Sequence, residues 1–292
     1  MTTDPALTTP TQHDPPIGQP GRRATVHAVT NQKGGVGKST TVYHLASAAL
    51  HEGQRVLAVD LDPQGNLTSD LSREPLPADG IGVADALSHQ KGAAGISLAD
   101  VIVPGRWDGV DLAPTTGDTL GGVRDELVTA GLGREKWLRE ALEPLRADYD
   151  VILVDCPPSL DQLSINALSA ADSTMIVTWA RKWSLDGLAA LLRTIESVRT
   201  HINPDLTVAG VLVNMYDEQT GAGRYWLGEL HEAAQARDLP VLEPVVPKRA
   251  LINDVIETHS SLFASRAALN RETAAIYTAH LRALTGAERT TA

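Results

Sequence analysis

The sequence predicts an α/β protein in which helices cover both faces of a doubly wound, mostly parallel sheet. Short apolar, β-branched runs alternate along most of the chain with segments whose apolar residues recur at helical spacing. A glycine-rich loop separates the first predicted strand from the first predicted helix, and aspartates follow other predicted strands. Such alternation is typical of parallel βαβ units, which place ligands at the carboxyl ends of the strands.

The predicted strands are short and rich in Val, Ile, Leu and Thr. They cover residues 25–30, 54–60, 110–113, 151–155, 174–178, 206–214 and 241–246. The first helix is predicted over 40–51, because apolar residues such as Leu45 and Ala49 fall on one face. Further helices are predicted over 138–145, 185–200, 225–237 and 264–285.

The chain has 292 residues, enough for one large α/β domain or two small ones. Residues 1–22 are rich in Thr, Pro and Gln and lack a hydrophobic period, so we expect a disordered tail, too short for a helix-turn-helix domain. Because strands and helices alternate to the end, one domain is expected over 23–285, with a flexible C-terminus at 286–292. Residues 65–125 are less regular and are expected to form an insertion or surface loops.

Charge and cysteine content narrow the class of protein. The formal net charge of −11 excludes a uniformly basic surface, although it permits a local basic patch. Cys156 is the one cysteine, so no intramolecular disulfide can form and a reducing compartment fits. The N-terminus lacks the charged-then-apolar pattern of a secretion signal, and no apolar run reaches about 18 residues. We therefore expect a soluble cytoplasmic protein without a membrane partner.

Residues 33–40 read Lys-Gly-Gly-Val-Gly-Lys-Ser-Thr and stand between a predicted strand and a predicted helix. The usual phosphate loop has its first glycine where this chain has Gln32, so the usual pattern is not met. The glycines allow successive backbone N–H groups to face one anion, and the helix that follows adds the positive end of its dipole. Lys38 can reach the β- and γ-phosphates of a nucleotide, and the Ser39 hydroxyl can ligate Mg²⁺. A simple glycine turn is the weaker alternative, because strand, loop and helix follow one another in the order that phosphate binding requires.

Three carboxylates lie at or just past the ends of predicted strands: Asp60, Asp62 and Asp155. In a doubly wound sheet this edge holds the ligand. Carboxylates there can hold the water shell of Mg²⁺ and orient an attacking water. A helix cap or a turn residue is the alternative interpretation of any one of them, and Asp60 is the least distinctive.

Three motifs together resemble the ParA/MinD family of ATPases with a deviant Walker motif. The loop at 33–40 matches the family's KGGxGK[ST] pattern. Residues 60–66, Asp-Leu-Asp-Pro-Gln-Gly-Asn, resemble its second motif, and residues 151–158, an apolar strand that ends in Asp-Cys-Pro-Pro, resemble its third. The motifs keep the family's order and spacing, the resemblance spans roughly 24–285, and their form is closer to the DNA-segregating ParA branch. A P-loop NTPase fold is implied.

The resemblance implies ATP and Mg²⁺ as cofactors and assigns roles to residues of this chain. The phosphate contacts would come from Gly34, Gly35, Val36, Gly37, Lys38, Ser39 and Thr40. Asp155 would stand in the Mg²⁺ water shell beside Ser39, Asp60 would support the metal and the loop, and Asp62 would act on the attacking water. Lys33 would cross a face-to-face homodimer and neutralise transition-state charge on the partner's nucleotide, as an arginine finger does.

The base-binding end carries a weaker signal. Asn214 ends a predicted strand, where a side-chain amide can contact a purine edge. Pro247 lies in a Val-Pro-Lys segment that resembles the family's loop beside the adenine. A strand-end cap and a turn remain equally good interpretations of these two residues.

Three functional hypotheses follow, of which a DNA-partitioning ATPase is preferred. Its ATP-bound homodimer would bind DNA without sequence preference at the nucleoid, and a ParB-type centromere-binding partner would trigger hydrolysis and release. Such binding rests on cations, and the candidates are Arg193, Arg199, Arg224, Lys248, Arg249, Arg266 and Arg271. Among these, Arg224, Lys248 and Arg249 are the predicted DNA contacts, with solvated surface charges as the alternative. A ParA-like ATPase that positions a protein cargo instead of DNA stays open.

The sequence lacks the features that the other two functional hypotheses require. A MinD-like membrane switch needs a basic amphipathic C-terminal helix, whereas residues 283–292 are polar and not markedly basic, and Ile276, Leu281 and Leu284 suggest a core-facing helix. Relatives that carry a metal cluster need several thiolates, and Cys156 stands alone and is better explained as a small buried residue.

One segment departs from the family pattern. Where the family usually has a proline, a glutamate and an aromatic residue, this chain has Arg181 and Lys182 flanked by Trp179 and Trp183. Variation of a surface loop is the simpler of two explanations of this departure. A changed dimer edge or partner surface is the sharper hypothesis.

Overall fold

The computed structural model describes residues 23–89, 95–181 and 183–286. The tail predicted at 1–22, Lys182, and residues 287–292 of the predicted flexible C-terminus lie outside the described residues. Within the described ranges, eight strands form one sheet. They are β1 (Thr25–Thr30), β2 (Val56–Asp60), β3 (Val103–Pro104), β4 (Val110–Ala113), β5 (Val151–Asp155), β6 (Ser173–Trp179), β7 (Thr207–Asn214) and β8 (Val241–Leu242).

The strand order is β3-β4-β2-β5-β1-β6-β7-β8, and every pairing is parallel except that of β3 with β4. The sheet is therefore mostly parallel, as predicted. Its central strands β5, β1 and β6 are almost wholly buried, as expected for parallel strands that are covered on both faces.

The helices vary from one turn to about five turns in length. They are α1 (Lys38–His51), α2 (Asn66–Leu71), α3 (Val83–Leu87), α4 (Leu98–Val101), α5 (Thr119–Thr129), α6 (Trp137–Leu142), α7 (Gln162–Ala170), α8 (Trp183–His201), α9 (Gly221–Gln235), α10 (Ala250–Glu257) and α11 (Ala268–Thr285). Short 3₁₀ helices cover Arg134–Lys136, Glu143–Ala147 and Leu262–Ala264.

The two faces of the sheet carry separate cores because successive side chains of a strand point to opposite sides. On one face, residues such as Leu57 of β2 pack with Leu163 of α7. On the other face, Val56 packs in a cluster with Leu45 of α1 and Leu281 of α11. This two-sided packing confirms the predicted doubly wound class.

The strands 25–30, 110–113 and 151–155 have the bounds that the sequence predicted. The prediction of the last strand is wrong in length: 241–246 was expected, and only Val241–Leu242 pairs with β7 as a strand. Pro244 follows and has no N–H to continue the ladder.

Helical content is higher than the sequence indicated. The segment 65–125 was expected to be loops or an insertion, but it contains α2, α3, α4, α5 and the edge strand β3. Helices α7 and α10 were also missed, although Asp161 marks the start of α7 by accepting hydrogen bonds from the N–H groups of Leu163 and Ser164. The last helix begins at Ala268 instead of 264.

In the part of the chain that the structure describes, no helix is long and apolar enough to cross a membrane. The last helix is an ordinary core helix: Ile276, Leu281 and Leu284 are buried against the sheet. Its apolar face is therefore not free to lie on a lipid surface.

Candidate functional site

The predicted site residues converge at the carboxyl ends of three neighbouring strands. The glycine loop follows β1, Asp60 ends β2 and Asp155 ends β5, which lies between the other two. In the β2–β5 ladder Asp60 stands directly opposite Asp155. The parallel register therefore brings together residues that are far apart in sequence, at the edge where doubly wound sheets bind ligands.

The loop owes its shape to two glycines with positive φ. Gly35 has φ 73°, and Gly37, the residue that precedes α1, has φ 90°. Residues with a Cβ rarely adopt this left-handed conformation. At Gly37 a side chain would also collide, because a Cβ there would lie 2.2 Å from Nδ2 of Asn214.

Two asparagines fix the loop to the sheet. Asn31 donates from Nδ2 to the carbonyl of Val177 in β6 (2.6 Å) and accepts from the N–H of Lys33 (3.0 Å). Asn214, at the end of β7, donates from Nδ2 to the carbonyl of Val36 (2.9 Å). These bonds pre-set the loop conformation, so that its N–H groups can face an anion with little reorganisation on binding.

Asn214 was predicted to contact a base, and the structure places its side chain against the loop. Its Nδ2 faces Val36, and its Oδ1 accepts from the N–H of Met215 (2.8 Å). Pro247 pairs with Tyr216 in an isolated parallel β-bridge and lines a cleft of about 530 Å³. One N–H and one lone pair of the Asn214 amide are thus used within the chain, and its contact with a base stays a prediction, as does that of Pro247.

Asp60 is held by hydrogen bonds within its own motif. Its Oδ2 accepts from the N–H of Thr68 (2.8 Å) and the hydroxyl of Thr68 (2.7 Å), and its Oδ1 accepts from the N–H of Asp62 (3.1 Å). Burial raises the pKa of Asp60 to about 7, although these hydrogen bonds oppose the rise. Asp60 thus acts as a fixed support for the loop that carries Asp62.

Asp62 is also buried, and its Oδ1 accepts from the N–H of Gln64 (3.0 Å). This bond fixes the orientation of one carboxylate oxygen while the other has no partner within the described residues. The carboxylate is thereby held in one orientation at the end of β2.

Asp155 is buried, and in the described ranges neither carboxylate oxygen has a well-formed hydrogen bond, although the Ser39 hydroxyl lies close by. Burial and the facing carboxylate of Asp60 raise its pKa well above the ordinary value, while the nearby Ser39 hydroxyl and Lys38 ammonium offset part of that rise. An unpaired buried carboxylate is costly. The arrangement calls for a cation at this point.

The residues present fit Mg²⁺. Within 23–89, 95–181 and 183–286, no three His, Cys, Asp or Glu side chains converge into a closed ligand shell. Mg²⁺ keeps several of its waters and takes one or two protein oxygens together with phosphates. Ser39 could supply a direct oxygen, and Asp155, with its free oxygens, could hold the metal's waters.

The two lysines of the loop lie in different surroundings. Lys38 begins α1 and is buried beside Asp155. Lys33 lies over the ring of Trp179 at the end of β6, with its Nζ 5.6 Å from the ring centroid. Since β1 separates β5 from β6, the structure brings Lys38 together with the acidic residues and leaves Lys33 on the other side.

The three predicted DNA contacts also differ from one another. Lys248 is exposed, and Arg224 is exposed while donating to the carbonyl of Glu218 (2.6 Å). Arg249 instead bonds to Thr273 (2.8 Å) and forms an ion pair with Glu272 (2.6 Å). Lys248 and Arg224 are therefore the more available of the three for phosphate contacts.

Cys156 is fully buried at the end of β5. Burial, assisted by the charge of Asp155, raises the pKa of its thiol above the ordinary value. The thiol therefore stays protonated at neutral pH and acts as a small core residue, as the sequence suggested.

Sequence reasoning missed three residues of the site. Asn31 and Thr68 orient the loop and Asp60 through hydrogen bonds, and Trp179 contacts Lys33. Thr68 lies within two residues of the second motif and could have been suspected as its support. The partners of Asn31 and Trp179 depend on long-range contacts that the sequence does not show.

A comparison with protein families matches residues 24–208 to a model described as an AAA domain. The chain is 38% identical over 227 residues to the sporulation initiation inhibitor protein Soj of Bacillus subtilis (strain 168), covering 78% of this chain and 85% of Soj. It is 36% identical over 226 residues to the chromosome partitioning protein ParA of Myxococcus xanthus (strain DK1622), covering 77% and 76% of the two chains.

Among solved structures, cobyrinic acid a,c-diamide synthase from Mycobacterium smegmatis, with bound ATP analogue and magnesium, has a TM-score of 0.75. It is 33% identical, and the match covers 92% of this chain and 97% of that one. The fold is thus similar to that of a protein whose structure holds an ATP analogue and magnesium.

Proposed function

The chain belongs to the family of ParA-type ATPases, and from that membership we propose that it is a DNA-partitioning ATPase that uses ATP and Mg²⁺. Its ATP-bound homodimer binds DNA without sequence preference, and a ParB-type partner speeds hydrolysis and so releases the DNA. The relative named for chromosome partitioning supports DNA as the cargo. We place the protein in the cytoplasm, at the nucleoid.

The observation that carries the proposal is the separation of the two loop lysines. Lys38 stands with the unpaired carboxylate of Asp155 on one side of β1, and Lys33 stands on the other side over Trp179. One subunit can therefore form its phosphate site without Lys33. A lysine held outside its own site suits a second subunit's nucleotide, which supports the dimer.

The loop N–H groups and Lys38 would bind the phosphates, and Ser39 and Asp155 would hold Mg²⁺. The metal would neutralise charge on the phosphates. Asp62, whose orientation is fixed by the N–H of Gln64, would orient the attacking water and accept its proton. Hydrolysis then removes what holds two subunits together, so nucleotide state controls the DNA-competent dimer.

Replacing Lys33 by alanine is expected to leave ATP binding within about threefold of wild type, because Lys38 and the loop stay intact. Hydrolysis should fall by about a hundredfold or more, the range seen when a charge that stabilises the transition state is removed. Titration calorimetry and phosphate release measure the two effects. Lys38→Ala is the matched control and should lose ATP binding itself. If Lys33→Ala hydrolysed ATP at the wild-type rate, the proposed action of Lys33 on the partner's nucleotide would be wrong.

The exposed cations are expected to set the salt dependence of DNA binding. Arg224→Ala and Lys248→Ala should each weaken ATP-dependent binding to random duplex and lower the slope of log Kd against log salt by about one per lost phosphate contact. Arg237→Ala is the control, because Arg237 is also exposed and donates to a backbone carbonyl in α9. Equal effects of all three substitutions would indicate a general charge effect instead of a binding surface.

A further inference from the structure

Three consecutive residues at the start of the phosphate loop contact the end of β6 and the first turns of α8. Asn31 donates to the carbonyl of Val177. The amide of Gln32 fills the space beside Gly187, where an added Cβ would lie 2.9 Å from its Nε2. Lys33 lies over the ring of Trp179. The position of Lys33 therefore depends on the end of β6.

Trp179 carries two cations. The Lys33 ammonium lies 5.6 Å from the ring centroid, and the Arg181 guanidinium carbon lies 4.6 Å from it. A tight turn, in which the N–H of Arg181 donates to the carbonyl of Trp179 (2.9 Å), brings the arginine back onto the ring. Both distances are within the range of cation–π attraction.

Neither cation forms an ion pair with an acidic residue of the described chain. The face of the Trp179 ring is thus the group that the described structure places against the Lys33 ammonium. Trp179 itself is anchored, because it pairs in register with Asn214, the residue that holds the carbonyl of Val36. A cleft of about 420 Å³ opens beside the ring and is lined by Trp179 and Arg181.

We propose that Trp179 is a positioning residue for Lys33. Its indole ring holds the Lys33 ammonium at the rim of the loop, on the side of β1 opposite Asp155, so that the amine stays out of its own phosphate site and is presented to a second subunit. The inference rests on the proposed role of Lys33 in hydrolysis. It adds a residue that acts through Lys33 and does not touch the nucleotide.

A positioning role predicts a particular pattern of kinetics. Trp179→Leu keeps an apolar side chain but removes the π face, and it should lower kcat for ATP hydrolysis by about threefold to tenfold, with KM for ATP changed by less than about twofold. Trp179→Phe keeps a π face and should retain kcat within about twofold of wild type. In the Lys33→Ala background, Trp179→Leu should cause no further loss, because the two residues act in series.

The same variants distinguish a failure of the inference about Trp179 from a failure of the proposed role of Lys33. Equal losses of kcat in Trp179→Leu and Trp179→Phe, or a rise in KM with unchanged kcat, would overturn the positioning role and leave only packing. If Lys33→Ala hydrolyses ATP at the wild-type rate, then the proposed role of Lys33 fails first. If Lys33→Ala loses hydrolysis while Trp179→Leu keeps it, only the inference about Trp179 fails.

A spectroscopic measurement keeps the inference testable if Trp179→Leu does not fold. The chain has five tryptophans, so the Trp179 signal is isolated as the difference between wild type and Trp179→Phe. In nucleotide-free protein, Lys33→Gln should change the indole emission of wild type and leave the emission of Trp179→Phe unchanged. No change in the wild-type background would overturn the contact.

Discussion

Substituting alanine for Gly37 is expected to weaken ATP binding by about a hundredfold or more. Gly37 has φ 90°, which costs a residue with a Cβ roughly 1–3 kcal/mol. The added Cβ would also lie 2.2 Å from Nδ2 of Asn214, and that amide cannot retreat without losing its bond to Val36. The loop would have to move, and its N–H groups would no longer face one anion.

Two other glycines are matched controls for this substitution. Gly35 also has positive φ, 73°, but a Cβ there meets no atom within 4 Å, so Gly35→Ala should lose less ATP affinity than Gly37→Ala. Gly53 has φ 78° with open space, far from the loop in sequence, and Gly53→Ala should lower only the melting temperature. Titration calorimetry on folded variants measures the difference. Wild-type affinity in a folded Gly37→Ala protein would contradict the loop geometry.

Changing Asp155 to asparagine is expected to have opposite effects on activity and on stability. Hydrolysis with Mg²⁺ should fall by about tenfold to a hundredfold, because the residue that we propose holds the metal's waters is lost. In metal-free buffer, however, the melting temperature should rise by a few degrees, because a buried, unpaired carboxylate facing Asp60 has been neutralised.

Asp60→Asn is the matched control, because Asp60 lies opposite Asp155 in the same ladder. Its carboxylate accepts three hydrogen bonds, two of them from Thr68, and asparagine cannot accept all of them. The melting temperature of Asp60→Asn should therefore fall. Scanning calorimetry without and with Mg²⁺ and ATP distinguishes the two cases. A fall in the melting temperature of metal-free Asp155→Asn would contradict the account of this carboxylate.

The sequence predicted the fold class and the phosphate loop well, because both depend on local patterns. Alternating strand and helix segments imply a parallel sheet, and the loop glycines stand at a strand-to-helix turn. Asp60 and Asp155 could also be predicted at the ligand edge because each ends an apolar strand. Their direct apposition in the β2–β5 ladder required the strand order, which the sequence does not give.

The contacts that could not be predicted are long-range. The bond from Asn214 to Val36 joins residues 178 positions apart in sequence, and the expected contact of Asn214 with a base stays a prediction beside it. Arg249 was grouped with the surface cations, although Glu272 on α11 pairs with it. A polar residue at a strand end, or a charged residue on a surface helix, has the same sequence pattern whether its side chain contacts a ligand, a loop or an acidic residue.

The short helices of 65–125 were missed for a different reason. Helices α2, α3 and α4 have four to six residues, too few for a helical period to show. Such helices depend on packing and caps more than on propensity. The available local signals were the aspartates three residues into α3 and α4: Asp85 accepts from the N–H of Gly82, and Asp100 accepts from the N–H of Ser97.

The most direct test of the account is binding of the purified protein to random-sequence duplex DNA with ATP, ADP or no nucleotide, in Mg²⁺ buffer across a salt series. We expect tight binding with ATP alone, as a dimer, with log Kd rising steeply with log salt. Binding that is the same in all three nucleotide states, or absent from DNA and present on anionic liposomes, would contradict the proposed DNA-partitioning switch.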